Sequence, residues 1–132
     1  MVVLSNYTGK NNAPDQLITS FLDDLRSLNL DFQRFLNIYS SAPVKTSAYT
    51  VTSQDYIILV NTGSAVTITL PTAVGIRGKQ YIIKDYTGTA NSNNITIATT
   101  GGQTIDGAAG STISTNYGKL YVVSNNVNWS VL

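Results

Sequence analysis

The feature that most constrains this chain is a regular spacing of apolar residues between positions 18 and 39. The gaps alternate strictly between three and four residues, which is the heptad pattern of helices that pack along a shared seam. Pro14 and Asp15 suit the first turn of a helix, and Asn12 suits its N-cap. We therefore predict one helix over residues 14–41. Its seam consists of Ile18, Phe21, Leu25, Leu28, Phe32, Phe35 and Tyr39.

Two arrangements can bury this seam. A helix of a globular domain commonly has a wide apolar stripe that packs on its own domain. The alternative is a parallel bundle of identical helices, which is favoured because the seam is unbroken and its flanks are apolar where a two-stranded zipper carries charges. Broad apolar flanks and aromatic seam residues favour a trimeric coiled-coil stalk over a dimeric one. The flanking residues are Leu17, Leu22, Leu36 and Ile38.

The length of the helix limits what it can do alone. A short helix is only marginally stable when isolated in water, and within a protein it draws most of its stability from tertiary or quaternary packing. If residues 14–41 form a bundle, we therefore expect the domain that follows to help hold the chains together.

The composition changes abruptly at Pro43. Residues 14–41 contain no glycine, whereas every glycine except Gly9 lies in residues 42–132, which are also rich in Thr, Ser, Asn, Val and Ile. Proline cannot continue a helix and pushes the preceding residue out of the helical region. This boundary separates a helical segment from a β-rich one.

Residues 42–132 contain short runs in which apolar and polar residues alternate between turn signals. In the run 65–71, the apolar residues at 66, 68 and 70 alternate with threonines, so that alternate side chains face a core. We expect a mainly β region of seven to nine strands, forming a compact antiparallel β-sandwich or barrel. Asn125–Asn126 suits a two-residue turn. No internal repeat of fixed period is present, which argues against a solenoid. The other runs are 48–53, 55–61, 79–85, 94–99, 120–124 and 127–132, with weaker ones around Ile105 and Ile113.

The composition also excludes several classes of function. The chain has no cysteine and no histidine, and all of its acidic residues are aspartates, so thiol and imidazole chemistry and Cys or His metal sites are excluded. The net charge is +1 with no basic run, which argues against nucleic-acid binding. No apolar stretch approaches the ~20 residues that a membrane span needs. The first ten residues are too short and polar for a secretory signal. We expect no cofactor, no metal and no membrane insertion.

Three aspartates remain as candidates for acid–base work in the β region. Asp55, Asp85 and Asp106 fall in separate turns or strand ends, where a carboxylate commonly caps a turn. A catalytic pair would require folding to bring two of them together. We therefore expect the chain not to be an enzyme.

The longest polar connection, residues 85–94, is the candidate recognition loop, because binding residues are disproportionately found on loops. Tyr86 and Tyr117 lie in loop-like sequence and are candidates for exposed aromatic contacts. Trp129 alternates with Val127 and Val131, which places it in the core, and stacking on a sugar is its alternative role. The candidate receptor contacts are Tyr86, Thr87, Asn91, Asn93 and Tyr117.

Three basic residues lie close together in the sequence, at Arg77, Lys79 and Lys84. They can either bind an anion such as phosphate or occupy solvated strand ends. The second reading is favoured, because solvated strand ends are the commoner location for such residues.

A series of short motifs runs from Tyr49 to Leu132. They are YTVT from Tyr49, DYIILV from Asp55, VTITLP ending at Pro71, GKQYIIKD ending at Asp85, NITI from Asn94, TIDG ending at Gly107, and the Asn128–Trp129 pair. Together they resemble a β module of the head-fibre and tail-fibre proteins of tailed bacteriophages. The resemblance implies a helical stalk, β modules that assemble as trimers, and no catalytic residues. The chain differs from many fibres in having one short stalk and one module.

From this resemblance we assign an expected role to each of the three segments of the chain. A virion appendage, made in the host cytoplasm, would bind a capsid or baseplate protein through residues 1–13, which are otherwise a frayed terminus. Residues 14–41 would form a homotrimer, and residues 42–132 would attach to a host surface through weak, multivalent contacts with a glycan. The alternatives are a capsid decoration or connector protein that binds only virion proteins, and a carbohydrate-binding module.

Overall fold

The computed structural model of the chain describes residues 14–40 and 42–132, and within the helix it describes the side chains of residues 16–33. Helix α1 spans Pro14–Ser40, as the heptad pattern predicts. It begins at a proline, whose fixed φ and missing amide suit the first helical position, and ends ahead of Pro43. The predicted cap Asn12 and the predicted attachment segment 1–13 lie outside the described residues.

The described part of the α1 seam is exposed in the single chain. An ion pair between Asp23 and Arg26, with an N···O distance of 3.5 Å, lies off the seam. The side chains of the seam residues Phe35 and Tyr39 and of the flanking residues Leu36 and Ile38 lie outside the described set. The exposed fractions of the seam are 57% for Ile18, 43% for Phe21, 40% for Leu25, 53% for Leu28 and 55% for Phe32.

The chain divides between Ser40 and Ser41 into two compact units. The described part of the second unit contains nine strands in two sheets. The first sheet has the order β1-β3-β5-β8-β9, and the second has the order β2-β4-β6-β7. The strands are β1 Val44–Lys45, β2 Tyr49–Thr50, β3 Ile57–Val60, β4 Val66–Thr69, β5 Gln80–Asp85, β6 Ile95–Ala98, β7 Gly110–Ile113, β8 Lys119–Ser124 and β9 Trp129–Val131.

Both sheets are mixed, so the predicted antiparallel arrangement is wrong. β1, β3 and β5 pair in parallel, as do β2, β4 and β6, while β7, β8 and β9 add antiparallel pairs. The reason is that successive strands from β1 to β6 alternate between the two sheets, so the chain returns to each sheet in the same direction. This part of the chain winds like a short solenoid, although the absence of a repeat argued against one. Its connections differ in length, and no fixed period therefore marks it in the sequence.

Alternate side chains of both sheets form one hydrophobic core. In β4, Val66 and Ile68 are buried while Thr67 is exposed, as the alternation predicts. Trp129 is 1% exposed, and its ring centroid lies 5.5 Å from that of Tyr81. The core position predicted for Trp129 is therefore confirmed, and burial removes its alternative role in sugar stacking.

The connection between β8 and β9 corrects the turn predicted at Asn125–Asn126. It spans residues 125–128, because Ser124 pairs with Trp129. The side-chain oxygen of Asn125 accepts hydrogen bonds from the backbone amides of the residues two and three positions later. Asn126 has a φ of 81°, so asparagine supplies the positive φ, as expected, but in a longer loop.

Four connections lie at one end of the β unit. The parallel strands β1, β3 and β5 all run toward this end, and so does β7, which is antiparallel to β6. They span residues 46–48, 61–65, 86–94 and 114–118, and are termed the distal loops. The chain enters the unit at Ala42, ahead of β1, which runs toward these loops. The distal loops therefore lie at the end of the unit opposite the side from which the chain enters.

Candidate functional site

Asp85, the last residue of β5, organises the distal loops. Its side chain faces the core and is 1% exposed. The backbone amides of Gly88, Ala90 and Tyr117 donate hydrogen bonds to its carboxylate, at N···O distances of 3.0, 3.0 and 2.9 Å. The predicted turn cap is confirmed, and it also ties loop 86–94 to loop 114–118.

The charge state of Asp85 follows from two opposing effects. Burial alone raises the pKa of its carboxyl group, but hydrogen bonds from four backbone amides outweigh burial and lower the pKa below its ordinary value. The side chain is therefore ionised at neutral pH, and its lone pairs are engaged by backbone donors. Such a carboxylate fixes a loop and is a poor general base. The four amides belong to Ala90, Tyr117, Gly88 and Thr87.

Tyr117 is held in an exposed position against Gly88. Its φ is 59° and its exposed fraction is 62%. A Cβ atom on Gly88 would lie 2.3 Å from Cζ of the Tyr117 ring, so glycine is required for the ring to lie against this backbone. Lys84 donates a hydrogen bond to the carbonyl oxygen of Tyr117, and its Nζ lies 5.8 Å from the ring centroid. The ring is thus fixed by its neighbours and remains largely accessible.

The other candidate contacts also lie on the distal loops. Tyr86 is 53% exposed, and its backbone amide is anchored to the carbonyl of Val60, at 2.9 Å. Asn91 is exposed, and its amide donates to the side-chain oxygen of Asn116, at 2.9 Å, which links the same two loops again. The remaining two candidates, Thr87 and Asn93, are half-buried.

A polar groove lies among the distal loops and was not identified from the sequence. Its volume is about 440 Å³, and its lining carries hydroxyl and methyl groups without any charged side chain. The hydroxyl of Thr89 donates to the carbonyl of Thr62, at 3.3 Å, which connects the groove to loop 86–94. Small hydroxylated residues spread over four segments give no local signal in a sequence. The lining residues are Thr46, Ser47, Ala48, Thr62, Ser64, Ala65, Val66, Thr67 and Thr96.

The remaining acidic residues of the β unit serve local structure. Asp55 accepts from the amide and hydroxyl of Thr52 and from the hydroxyl of Tyr49, at 2.8 to 2.9 Å. Asp106 accepts from the amide of Val131, at 3.1 Å. Each carboxylate thus accepts a hydrogen bond from the backbone amide of another residue. Among the described residues, no group of three or more potential metal ligands comes together.

Two of the basic residues considered as an anion site, Lys79 and Lys84, bind separate backbone carbonyls. Lys79 immediately precedes β5 and Lys84 lies near its end, and their ammonium groups donate to the carbonyls of Ser53 and Tyr117. Burial lowers the pKa of Lys79, and the nearby Asp55 opposes this shift.

Among the residues that the structure describes, no helix is long and apolar enough to cross a bilayer.

Comparisons with known proteins add no identification. No protein-family model matches the chain, and no curated protein is significantly similar to it. The geometry of the distal loops and of the helix seam is therefore the basis for inferring a function.

Proposed function

We propose that the chain is a subunit of a trimeric virion appendage, a head or tail fibre, that attaches to a host-surface glycan through its distal loops. Helix α1 holds three copies together as a parallel coiled-coil stalk, and the two sheets of the β unit form a compact sandwich. The observation that carries this proposal is that two tyrosine rings, Tyr86 and Tyr117, are exposed on loops whose backbone is rigidly anchored.

The conformation of Tyr117 is informative because it is unfavourable on its own. A positive φ is uncommon for a bulky residue and costs free energy. The structure nevertheless maintains it through the carboxylate of Asp85 and the absence of a side chain at Gly88. A ring held in place before a ligand arrives loses little freedom on binding, which favours weak ligands.

The chemistry of the surface suits an uncharged sugar. Tyrosine rings offer an apolar face for the C–H groups of a sugar and a hydroxyl at the edge. The groove supplies hydroxyl groups, and Asn91 supplies an exposed carboxamide. The charge of Asp85 is engaged by backbone amides, so no free carboxylate of this anchor faces a ligand.

Assembly supplies the affinity that one such site lacks. The exposed seam of α1 supports a bundle, and three copies on one stalk raise the effective concentration of each site for a multivalent surface. The resemblance to phage fibre modules supports the same arrangement. Residues 1–13, which lie outside the described residues, are the segment that binds a capsid or baseplate protein in this proposal.

The test is binding of the full chain to an array of neutral bacterial-surface oligosaccharides, comparing wild type with Tyr86→Ser and Tyr117→Asn. Asparagine tolerates the positive φ at position 117, so the loop keeps its backbone. Val127→Ser is the matched control, because Val127 is 63% exposed in the connection 125–128, away from the distal loops. We expect each tyrosine variant to weaken binding by about tenfold or more and the control to bind like wild type.

The fluorescence of the buried Trp129 verifies that each variant is folded. If the folded, assembled wild type binds no glycan, or if both tyrosine variants bind as wild type does, the attachment role is wrong. A protein that binds no glycan but requires residues 1–13 to enter virions would instead be a decoration or connector protein.

A further inference from the structure

We infer that the outer face of the first sheet is the surface through which the β units of neighbouring copies contact one another. This inference rests on the proposed trimer and assigns the second contact that holds it together. The outer face carries an apolar patch together with the polar residues Gln80, Lys84 and Lys119. The patch consists of Val44, Ile57, Leu59, Ile82, Tyr121, Val123 and Leu132.

The alternation of burial identifies this face. In β3, β5 and β8, the residues that face the core are buried, and the residues between them are half-buried on the opposite side. The register then makes the apolar residues contiguous, because Ile57 pairs with Ile82, and Ile82 pairs with Tyr121. Val44 extends the patch at the edge by pairing with Leu59.

The second sheet shows that the fold does not require an apolar outer face. Its outward residues Thr67, Thr96 and Thr112 lie in register across β4, β6 and β7 and are exposed. Threonine has the β-branched shape that strands favour and keeps its hydroxyl in water. Since both sheets contribute to one core, the apolar patch on the outer side of the first sheet needs another explanation, and apolar patches at a protein surface mark interaction sites.

The connection to the helix favours a second copy as the occupant. Helix α1 ends at Ser40, and β1, the edge strand of the first sheet, begins at Val44. Four residue steps span at most about 14 Å. In a parallel bundle of these helices, so short a connection keeps the β units of the three copies at a high effective concentration with respect to one another.

The helix also needs such a contact. An α-helix of 27 residues with an exposed seam is stabilised mainly by its partners. A second apolar surface in the same chain, tethered through three residues, would be buried by the same assembly step. One association thus covers both exposed apolar surfaces of the chain.

The first experiment compares the assembly of the full chain, Ile82→Lys, Ile82→Thr and Thr96→Lys by sedimentation equilibrium. Ile82 and Thr96 are both in inner strands of their sheets and point outward, so Thr96→Lys is a matched control. We expect Ile82→Lys to weaken assembly by about tenfold or more, because it would bury an unpaired ammonium group. We expect Ile82→Thr to weaken it less, since threonine suits a strand, and Thr96→Lys to leave it unchanged.

The second experiment uses the absence of cysteine from the chain. A spin label at Lys119→Cys, on the outer face of the first sheet, should give shorter distances between copies than one at Thr112→Cys on the second sheet. Thr112 is exposed, as Lys119 is, so both labels have similar freedom.

The possible outcomes separate the two proposals. A wild-type chain that is monomeric overturns both the proposed trimer and this inference. A wild-type trimer that both Ile82 variants leave intact, or in which the Thr112 labels are the closer pair, overturns this inference and retains the trimer.

Discussion

The helix and the β unit use apolar residues in opposite ways. In α1, Ile18 and Leu28 are more than half exposed, at 57% and 53%, whereas Ile58 and Ile83 of the β unit are fully buried, at 0%. Two sheets can bury one face of each in a common core, but a single helix has no surface of its own on which to pack. We therefore expect the stability of the β unit to be intrinsic and, if α1 assembles as proposed, that of the helix to depend on protein concentration.

The largest effect that tests this contrast is the loss of assembly in Leu25→Asp. Each assembled copy would bury a carboxylate in the seam, at a penalty of several kcal/mol per ion. We expect a monomer at micromolar concentration by sedimentation equilibrium, with a β unit that still unfolds in one cooperative transition. Ser27→Asp, which adds the same charge off the seam, should assemble as wild type does. Assembly of Leu25→Asp with wild-type affinity would show that the seam is unused.

The next largest effect is expected for Ile83→Ala, in the core of the β unit. Removing a fully buried isoleucine side chain costs about 2–5 kcal/mol. Urea unfolding followed by the fluorescence of Trp129, the only tryptophan, measures this loss. Thr96→Ala, on an exposed outer face, should change stability by less than about 0.5 kcal/mol. A loss for Ile83→Ala that vanishes at high protein concentration would contradict the intrinsic stability of the β unit.

The local pattern in the sequence predicts which residues form strands and which side face the core. The alternation in residues 65–71 and 79–85 corresponds to β4 and β5. Local alternation does not encode the direction of a partner strand, however, and β1 has only two residues, which is too short for any period to show. This is why the predicted range of seven to nine strands includes the nine described ones, although β1 was missed, the run around Ile105 forms only isolated bridges, and the parallel pairing was not predicted.

The candidate site shows the same limit. Tyr86 and Tyr117 were identified because aromatic residues stood in loop-like sequence, which is local information. The hydrogen bond from Tyr117 to Asp85 joins residues 32 positions apart, and the need for glycine at Gly88 arises from the same distant ring. Asp85 was therefore predicted as a turn cap, and its role in joining two loops emerged only from the fold.

A moderate, pH-dependent effect is expected for Asp85→Asn. The lowered pKa means that the carboxylate stabilises the fold above the unfolded-state pKa of about 3.9, and that this contribution disappears as the pH falls through the lower folded-state pKa. We expect Asp85→Asn to lose about 1–3 kcal/mol at pH 7, because buried amides lose a charged acceptor. The difference from wild type should shrink as the pH falls below about 4.

Unfolding by urea across this pH range measures the effect. Asp106→Asn is the control, since Asp106 is exposed and accepts from the single amide of Val131. A constant difference between wild type and Asp85→Asn from pH 7 to pH 2 would show that the carboxylate does not titrate as its hydrogen bonds require.

The smallest effect is expected for Arg26→Ala, which removes the ion pair with Asp23. The two side chains are 75% and 65% exposed, so water and salt screen the pair, and its contribution is about 0–1 kcal/mol. Thermal unfolding and sedimentation equilibrium should both resemble those of wild type. Residues 25 and 26 are adjacent in sequence but about 100° apart around the helix. If Arg26→Ala dissociated the assembly while Leu25→Asp did not, the helix would associate through its charged face, and the heptad would be a feature of composition without a role in packing.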